Sequence, residues 1–175
     1  MQWFTRFLPR LPMFFIVLFC LLPIMANADG TIIQSNDSYL TIYYKDENNT
    51  EQSLDISKNK LTALHFWAAW CIPCAKELPM VNAAQKKYAD RGFKIVPLSM
   101  DFNVDQIKKF YKENNIETLG VMLDADQKTL KDFKVKGLPT TIFISSDGKV
   151  INRTEGEISW ESKAVDDFIM NRTGF

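Results

Sequence analysis

Cys71 and Cys74 are separated by two residues in the stretch Phe66-Trp67-Ala68-Ala69-Trp70-Cys71-Ile72-Pro73-Cys74. The apolar run Leu61 to Trp67 reads as a buried strand, and the pattern from Pro73 onward reads as a helix. Cys71 therefore stands where a strand runs into a helix. The free N–H groups and the dipole at a helix start favour negative charge, and the thiolate is the reactive form of cysteine. Two intervening residues let the second thiol reach the first, so the pair can open and close a disulfide without rebuilding the fold. Three other uses of the pair compete. A structural disulfide would usually close a longer loop. A zinc site needs about four protein ligands, or three in a catalytic site. The segment after residue 28 offers only these two cysteines and His65. A coincidental pair of buried thiols is the third.

The elements that must hold this pair follow from the periodicity. Tyr39 to Tyr44 and Glu51 to Ile56 read as a hairpin around the turn residues 45–49. Leu61 to Trp67 leads into a helix over Pro73 to Asp90, with Leu78, Val81, Ala84, Gln85 and Tyr88 on one face. Pro79 is expected to kink that helix, and Gly92 to cap it. Phe93 to Met100 reads as a second buried strand. A helix follows over Val104 to Asn114, presenting Ile107, Phe110 and Tyr111. Then come a short strand at Gly120 to Leu123 and a short helix at Asp126 to Phe133. Thr140 to Ile144 and Lys149 to Arg153 pair across the turn Ser146-Asp147-Gly148. A closing helix over Ser159 to Asn171 turns Trp160, Ala164, Val165, Phe168 and Ile169 inward. Strands alternating with helices predict an α/β fold, a mixed sheet covered on both faces. The chain of 175 residues is 46% hydrophobic and 24% charged, with a formal net charge of zero. A packed core is expected, and no basic excess points to nucleic acid.

Residues 1–28 differ from the rest. Arg6 and Arg10 precede an apolar run, Leu11 to Met25, and Ala26-Asn27-Ala28 places small residues where a signal peptidase reads. The run is about 15 residues, short of the roughly 20 of a comfortable transmembrane helix, and Pro12 and Pro23 shorten it further. Cleavage after Ala28 is the expectation, with an uncleaved membrane anchor as the alternative. Either puts residues 29–175 across the membrane, with 29–37 a polar lead-in and 38–175 one domain. Cys20 follows Phe19, a large residue that disfavours lipidation. Cleavage would remove it with Arg6 and Arg10, leaving a slightly acidic chain.

The sequence resembles the TlpA/ResA type of extracytoplasmic thioredoxin-like proteins. The likeness covers most of residues 38–170. It is carried by Phe66 to Cys74, by Glu77-Leu78-Pro79, by Gly137-Leu138-Pro139-Thr140-Thr141 and by Asp147-Gly148-Lys149-Val150. It implies a thioredoxin-like fold with an N-terminal hairpin extension. Cys71 would be the exposed nucleophile that attacks a client disulfide, and Cys74 the resolving thiol. Glu77 matches an active-site glutamate that could accept the proton of Cys74; a solvated helix charge is the plainer alternative. Pro139 matches a cis-proline whose neighbour Leu138 would pair with a client backbone. Trp70, Ile72, Pro73, Leu138 and Pro139 would face the client, while Trp67 could equally be core. His65 departs from the pattern. Thioredoxins carry a buried acid six residues before the first cysteine, and TlpA-like members often carry Asn. His65 could tune Cys74 or relay a proton, or be a satisfied buried histidine.

The resemblance further implies a periplasmic reductant of protein disulfides, with cytochrome c maturation components or copper-site proteins as clients and a membrane thiol donor upstream. Ile72-Pro73 adds no charge between the cysteines, which favours a reductant. No cofactor or metal and no nucleic-acid partner is expected, membrane contact only through residues 1–28, and a monomer. The alternatives are a disulfide oxidase or isomerase, and a Cu(I)-binding chaperone, since soft thiolates suit Cu(I). The cysteine lacks the threonine-and-proline context of a peroxiredoxin.

Overall fold

The computed structural model describes residues 40–174. The proposed leader, its cleavage site at Ala28, Cys20, the lead-in 29–37 and the first residue of the early strand, Tyr39, lie outside the described residues. Among those described, no helix is long and apolar enough to cross a membrane.

The described residues form seven strands and four α-helices in the predicted order: β1 (Thr41–Lys45), β2 (Glu51–Asp55), β3 (Leu61–Trp67), α1 (Ile72–Tyr88), β4 (Phe93–Ser99), α2 (Val104–Glu113), β5 (Met122–Leu123), α3 (Lys128–Asp132), β6 (Thr140–Ser145), β7 (Val150–Glu155) and α4 (Lys163–Thr173). They build one mixed sheet in the order β2-β1-β5-β4-β3-β6-β7. All seven residues of β3 are buried. It lies between parallel β4, from Leu61↔Phe93 to Trp67↔Ser99, and antiparallel β6, from Leu61↔Ser145 to Phe66↔Thr140. A strand buried on both faces has no polar side to show, which is why Leu61 to Trp67 reads as a nearly unbroken apolar run. The hairpin β1–β2 extends the sheet through a short antiparallel contact, Lys45↔Leu123.

The connections β3-α1-β4 and β4-α2-β5 step the same way across the sheet, so right-handed crossovers put α1 and α2 on one face. Side chains on β3 alternate, and Trp67 points to that face, stacked on Tyr111 and against Phe110 of α2. His65, two residues earlier, shares it. Helix α4 joins through Phe143–Phe168 and through the Tyr88 hydroxyl, which donates to Asp166. The opposite face meets α3, where Phe66 packs on Phe133.

Helix α1 runs through Pro79 as one helix from Ile72 to Tyr88, and one expectation, the start of the closing helix, changes. Pro79 sits on the exposed side, where water can take the carbonyl that it strips of a partner. Gly92, at φ 77°, closes the following 3-10 turn as expected. The closing helix starts at Lys163 rather than Ser159, because the Ser162 side chain accepts from the Val165 N–H and caps it there. Trp160 is thus buried ahead of the helix, and Ala164 is exposed rather than inward.

Candidate active site

The turn from β3 to α1 is tied down before the cysteines are reached. Asp101, just beyond β4, is buried, and both its oxygens accept the Ala69 N–H at 3.1 Å. The Ser99 hydroxyl also donates to it, at 2.7 Å. The Trp67 carbonyl accepts the Met100 N–H, and the Cys71 N–H bonds the Ala68 carbonyl. These bonds deliver Cys71 to the N-cap position of α1, with Pro73 in the first turn, where a missing N–H costs nothing. Cys71 and Cys74 form a disulfide with their Cα atoms 5.2 Å apart.

The two sulfurs have different surroundings. Cys74 is completely buried, whereas Cys71 keeps 7% of its surface and lines an open groove of about 550 Å³. Cys71 is therefore less exposed than expected; what exposes it is the groove. Trp70, Ile72, Pro73, Met100 and Leu138 also line the groove, and Lys136 is the cation along it. The Leu138–Pro139 peptide is cis. Pro139 itself is buried, and its carbonyl accepts the Gly156 N–H. Trp70 and Ile72 are exposed, as is Phe102 on the neighbouring loop. Trp67 lies wholly in the core, so of the two tryptophans only Trp70 can meet a partner.

Glu77 does not sit in solvent. It is 1% exposed, inside α1 on the face towards the sheet. Its Oε1 accepts two hydrogen bonds, from the Ile158 backbone N–H at 3.0 Å and from the Trp160 indole N–H at 2.6 Å. Its Oε2 is buried without a partner. Burial pushes the carboxyl above its ordinary value, the two donors pull it back, and the nearby charge of Glu157 pushes it up again. His65 is also fully buried. Its Nδ1 lies 2.9 Å from the Thr141 hydroxyl, its Nε2 has no partner, and its ring meets Trp160 edge-on at 6.2 Å. It is thus a buried histidine only half satisfied. Burial alone lowers its pKa to about 3, so the imidazole is neutral near pH 7.

Sequence reasoning missed three residues here. Asp101 and Trp160 act on partners 32 and 83 positions away, and neither carries a local signal of that. Phe102 is a lone aromatic between strand and helix, and only its exposure distinguishes it. Among the described residues no group of three or more His, Cys, Asp or Glu is placed to hold a metal ion.

Comparison with known proteins places this geometry. Residues 36–153 match the AhpC/TSA family. The thiol-disulfide oxidoreductase ResA of Bacillus thuringiensis is 37% identical over 100 residues, 57% of each chain. The ResA of Bacillus subtilis is 31% identical over 115 residues, 66% of this chain and 64% of that one. The chain thus matches less than two thirds of the length of these relatives. A crystal structure of a thiol:disulfide interchange protein of the thioredoxin family from Chlorobium tepidum superposes with a TM-score of 0.63 at 26% identity. It covers 77% of this chain and 94% of its own. The thioredoxin-like fold is therefore shared.

Proposed function

The chain belongs to the AhpC/TSA family, and from that premise we propose that it is a thiol–disulfide oxidoreductase that reduces protein disulfides outside the cytoplasm. The observation that carries this is the asymmetry of the Cys71–Cys74 disulfide, one sulfur on an open groove at a helix start and the other enclosed. The names of the ResA relatives support it.

The reduced protein starts with a Cys71 thiolate, favoured by the N–H groups and dipole of α1. Its Sγ attacks one sulfur of a client disulfide, forms the Cys71–client bond and expels the other client sulfur as a thiolate. Cys74 then gives up its proton, attacks the Cys71 Sγ and closes the intrachain disulfide. The electron pair of the broken bond leaves on the second client sulfur. Two electrons pass to the client, whose two sulfurs leave as thiolates and take their protons from solvent, and the protein ends as the disulfide form described above. A buried thiol gives up its proton reluctantly, and Glu77, three residues further along α1, is the carboxylate we assign to receive it. Trp70, Ile72, Pro73 and Leu138 form the client-facing wall, and buried Pro139 acts only through the cis peptide that sets the backbone of Leu138. We place the protein in the periplasm on the charged, apolar and small-residue blocks of residues 1–28, with a membrane thiol donor to restore the dithiol. Cytochrome c maturation components or copper-site proteins are the client class we assign.

An equilibrium redox titration of the pair tests the direction of electron flow. A potential near that of thioredoxin, about −270 mV, is expected; one near −120 mV would make the protein an oxidant. Cys74→Ser should accumulate mixed disulfides with clients on non-reducing gels, and Cys71→Ser should trap none. Equal trapping by both variants would overturn the assignment of roles.

A further inference from the structure

Glu77 is held in an unequal way. Both of its donors converge on Oε1, and Oε2 is left buried with no partner. One donor is a backbone N–H, available whatever the side chain at residue 158. The other depends on the side chain: the indole of Trp160, itself 2% exposed, reaches Oε1 at 2.6 Å from the segment just ahead of α4. That segment is kept out of the helix by the Ser162 cap. The ring is braced on its other sides by His65, at 6.2 Å, and Phe143, at 6.2 Å. An indole N–H can only donate, so the oxygen it meets must accept. If Glu77 carries a proton, the proton therefore belongs on Oε2.

We infer that Trp160 is a positioning residue for proton transfer in the second half of the exchange: its N–H fixes Oε1 and leaves Oε2 as the oxygen that takes the proton of Cys74. This rests on the proposed role of Glu77 and adds what orients that carboxylate. In the step concerned, the Cys74 proton passes to Oε2, the Cys74 sulfur bonds to the Cys71 Sγ, and the client sulfur leaves with the electron pair. A hydrogen bond to the ionised form favours that form, so Trp160 also opposes the burial that would keep Glu77 protonated. The titratable groups around Glu77 are Cys74 on α1, Glu157 beside the Ile158 donor, and His65 of β3 behind the Trp160 ring. His65 is neutral over the working range, and Glu157 acts in the direction opposite to Trp160.

Trp160→Phe keeps a ring in the cavity and removes the donor. Rapid mixing of the reduced full chain with glutathione disulfide should show an unchanged first phase. The ascending pH limb of the second phase should move up by about one pH unit, making that phase roughly tenfold slower below the limb and equal to wild type above it. Loss of packing alone would slow the phase equally at every pH and would overturn the inference. In a Glu77→Gln background Trp160→Phe should change the second phase no further; an additive effect would also overturn it. If Glu77→Gln itself retains the wild-type limb, the role of Glu77 fails, and the inference with it. If Glu77→Gln abolishes the limb while Trp160→Phe leaves it in place, the inference about Trp160 fails alone. Should Trp160→Phe not fold, 3-benzothienylalanine at residue 160, which replaces the N–H by sulfur in the same ring shape, provides the same comparison.

Discussion

Glu77 and Asp124 are both carboxylates taken almost wholly out of water, 1% and 3% exposed, and burial raises both above their ordinary values. They use their oxygens differently. At the end of β5, Asp124 accepts the Thr129 N–H on Oδ1 and the Leu130 N–H on Oδ2, and so holds the start of α3. Each oxygen is engaged by a backbone N–H. Glu77 places two donors on Oε1 and none on Oε2. Leaving a buried acceptor unpaired costs about 1–3 kcal/mol, a cost that Asp124 avoids. Asp124 has the arrangement of an acid that holds a loop. Glu77 has that of an acid with one oxygen in reserve, three residues along α1 from Cys74.

The largest effect should come from Glu77→Gln. The amide oxygen can still accept from Ile158 and Trp160, and the NH2 group replaces an oxygen that had no partner, so the fold should survive. The variant cannot take a proton. The first phase of exchange should be normal and the second slower by about 10²-fold near pH 7, the usual range of general-base assistance. Rapid mixing with a small disulfide across pH 6–9 measures both phases. An unchanged second phase would erase the functional half of the contrast with Asp124.

His65 sharpens the comparison, because it too has an unpartnered atom and lies behind the same Trp160 ring. Its folded pKa is depressed from 6.5 to about 3. Its stabilising contribution is therefore fully present above pH 6.5 and is lost as pH falls from there towards 3. At pH 4.5 the loss should be about 2–3 kcal/mol. Urea unfolding at pH 7 and pH 4.5 should show this drop in wild type and a drop smaller by that amount in His65→Asn. If His65→Asn instead slows the second phase of exchange as Glu77→Gln does, the proton passes through His65 and the neutral-imidazole picture is wrong.

These contrasts separate what the chain shows locally from what only folding brings together. The cysteines were legible because they are near neighbours at a change of period, from a buried strand to a helix. The elements were legible for the same reason, with β3 read to the residue. Pro139 was legible only through family likeness, since a proline before a strand does not declare its isomer. Trp160 was misplaced because the apolar spacing of α4 continues smoothly back to it, while Ser162, a modest local signal, sets the true start. With Trp160 assigned to a helix face, its bond to Glu77 could not be foreseen, and Glu77 could still pass for a solvated charge. Asp101 presented no pattern at all; its importance lies in the backbone of a turn 32 positions earlier.

Asp124→Asn should have the smallest effect, and on stability alone. Both carboxylate oxygens accept N–H groups, so an amide must turn its own NH2 towards one of those donors, and one hydrogen bond is lost. Offsetting this, the amide carries no charge to bury. The sign with pH follows from the raised folded pKa. Asp124 contributes most below its unfolded value, near 3.8, and part of that contribution is lost as pH rises through the folded pKa. The lead of wild type over Asp124→Asn should therefore be widest in acid and narrow to about 1 kcal/mol at pH 7. Urea unfolding of the two proteins from pH 3.5 to 7 measures the lead directly. Both phases of disulfide exchange should be unchanged, since both oxygens are bound to the start of α3 rather than held in reserve on the helix of the cysteines. A lead that widens with pH would mean that the backbone bonds outweigh burial and that the charged form is the stabilised one. A slowed second phase would mean that spending both oxygens does not keep a buried acid out of the chemistry, and the distinction drawn from Glu77 would fall.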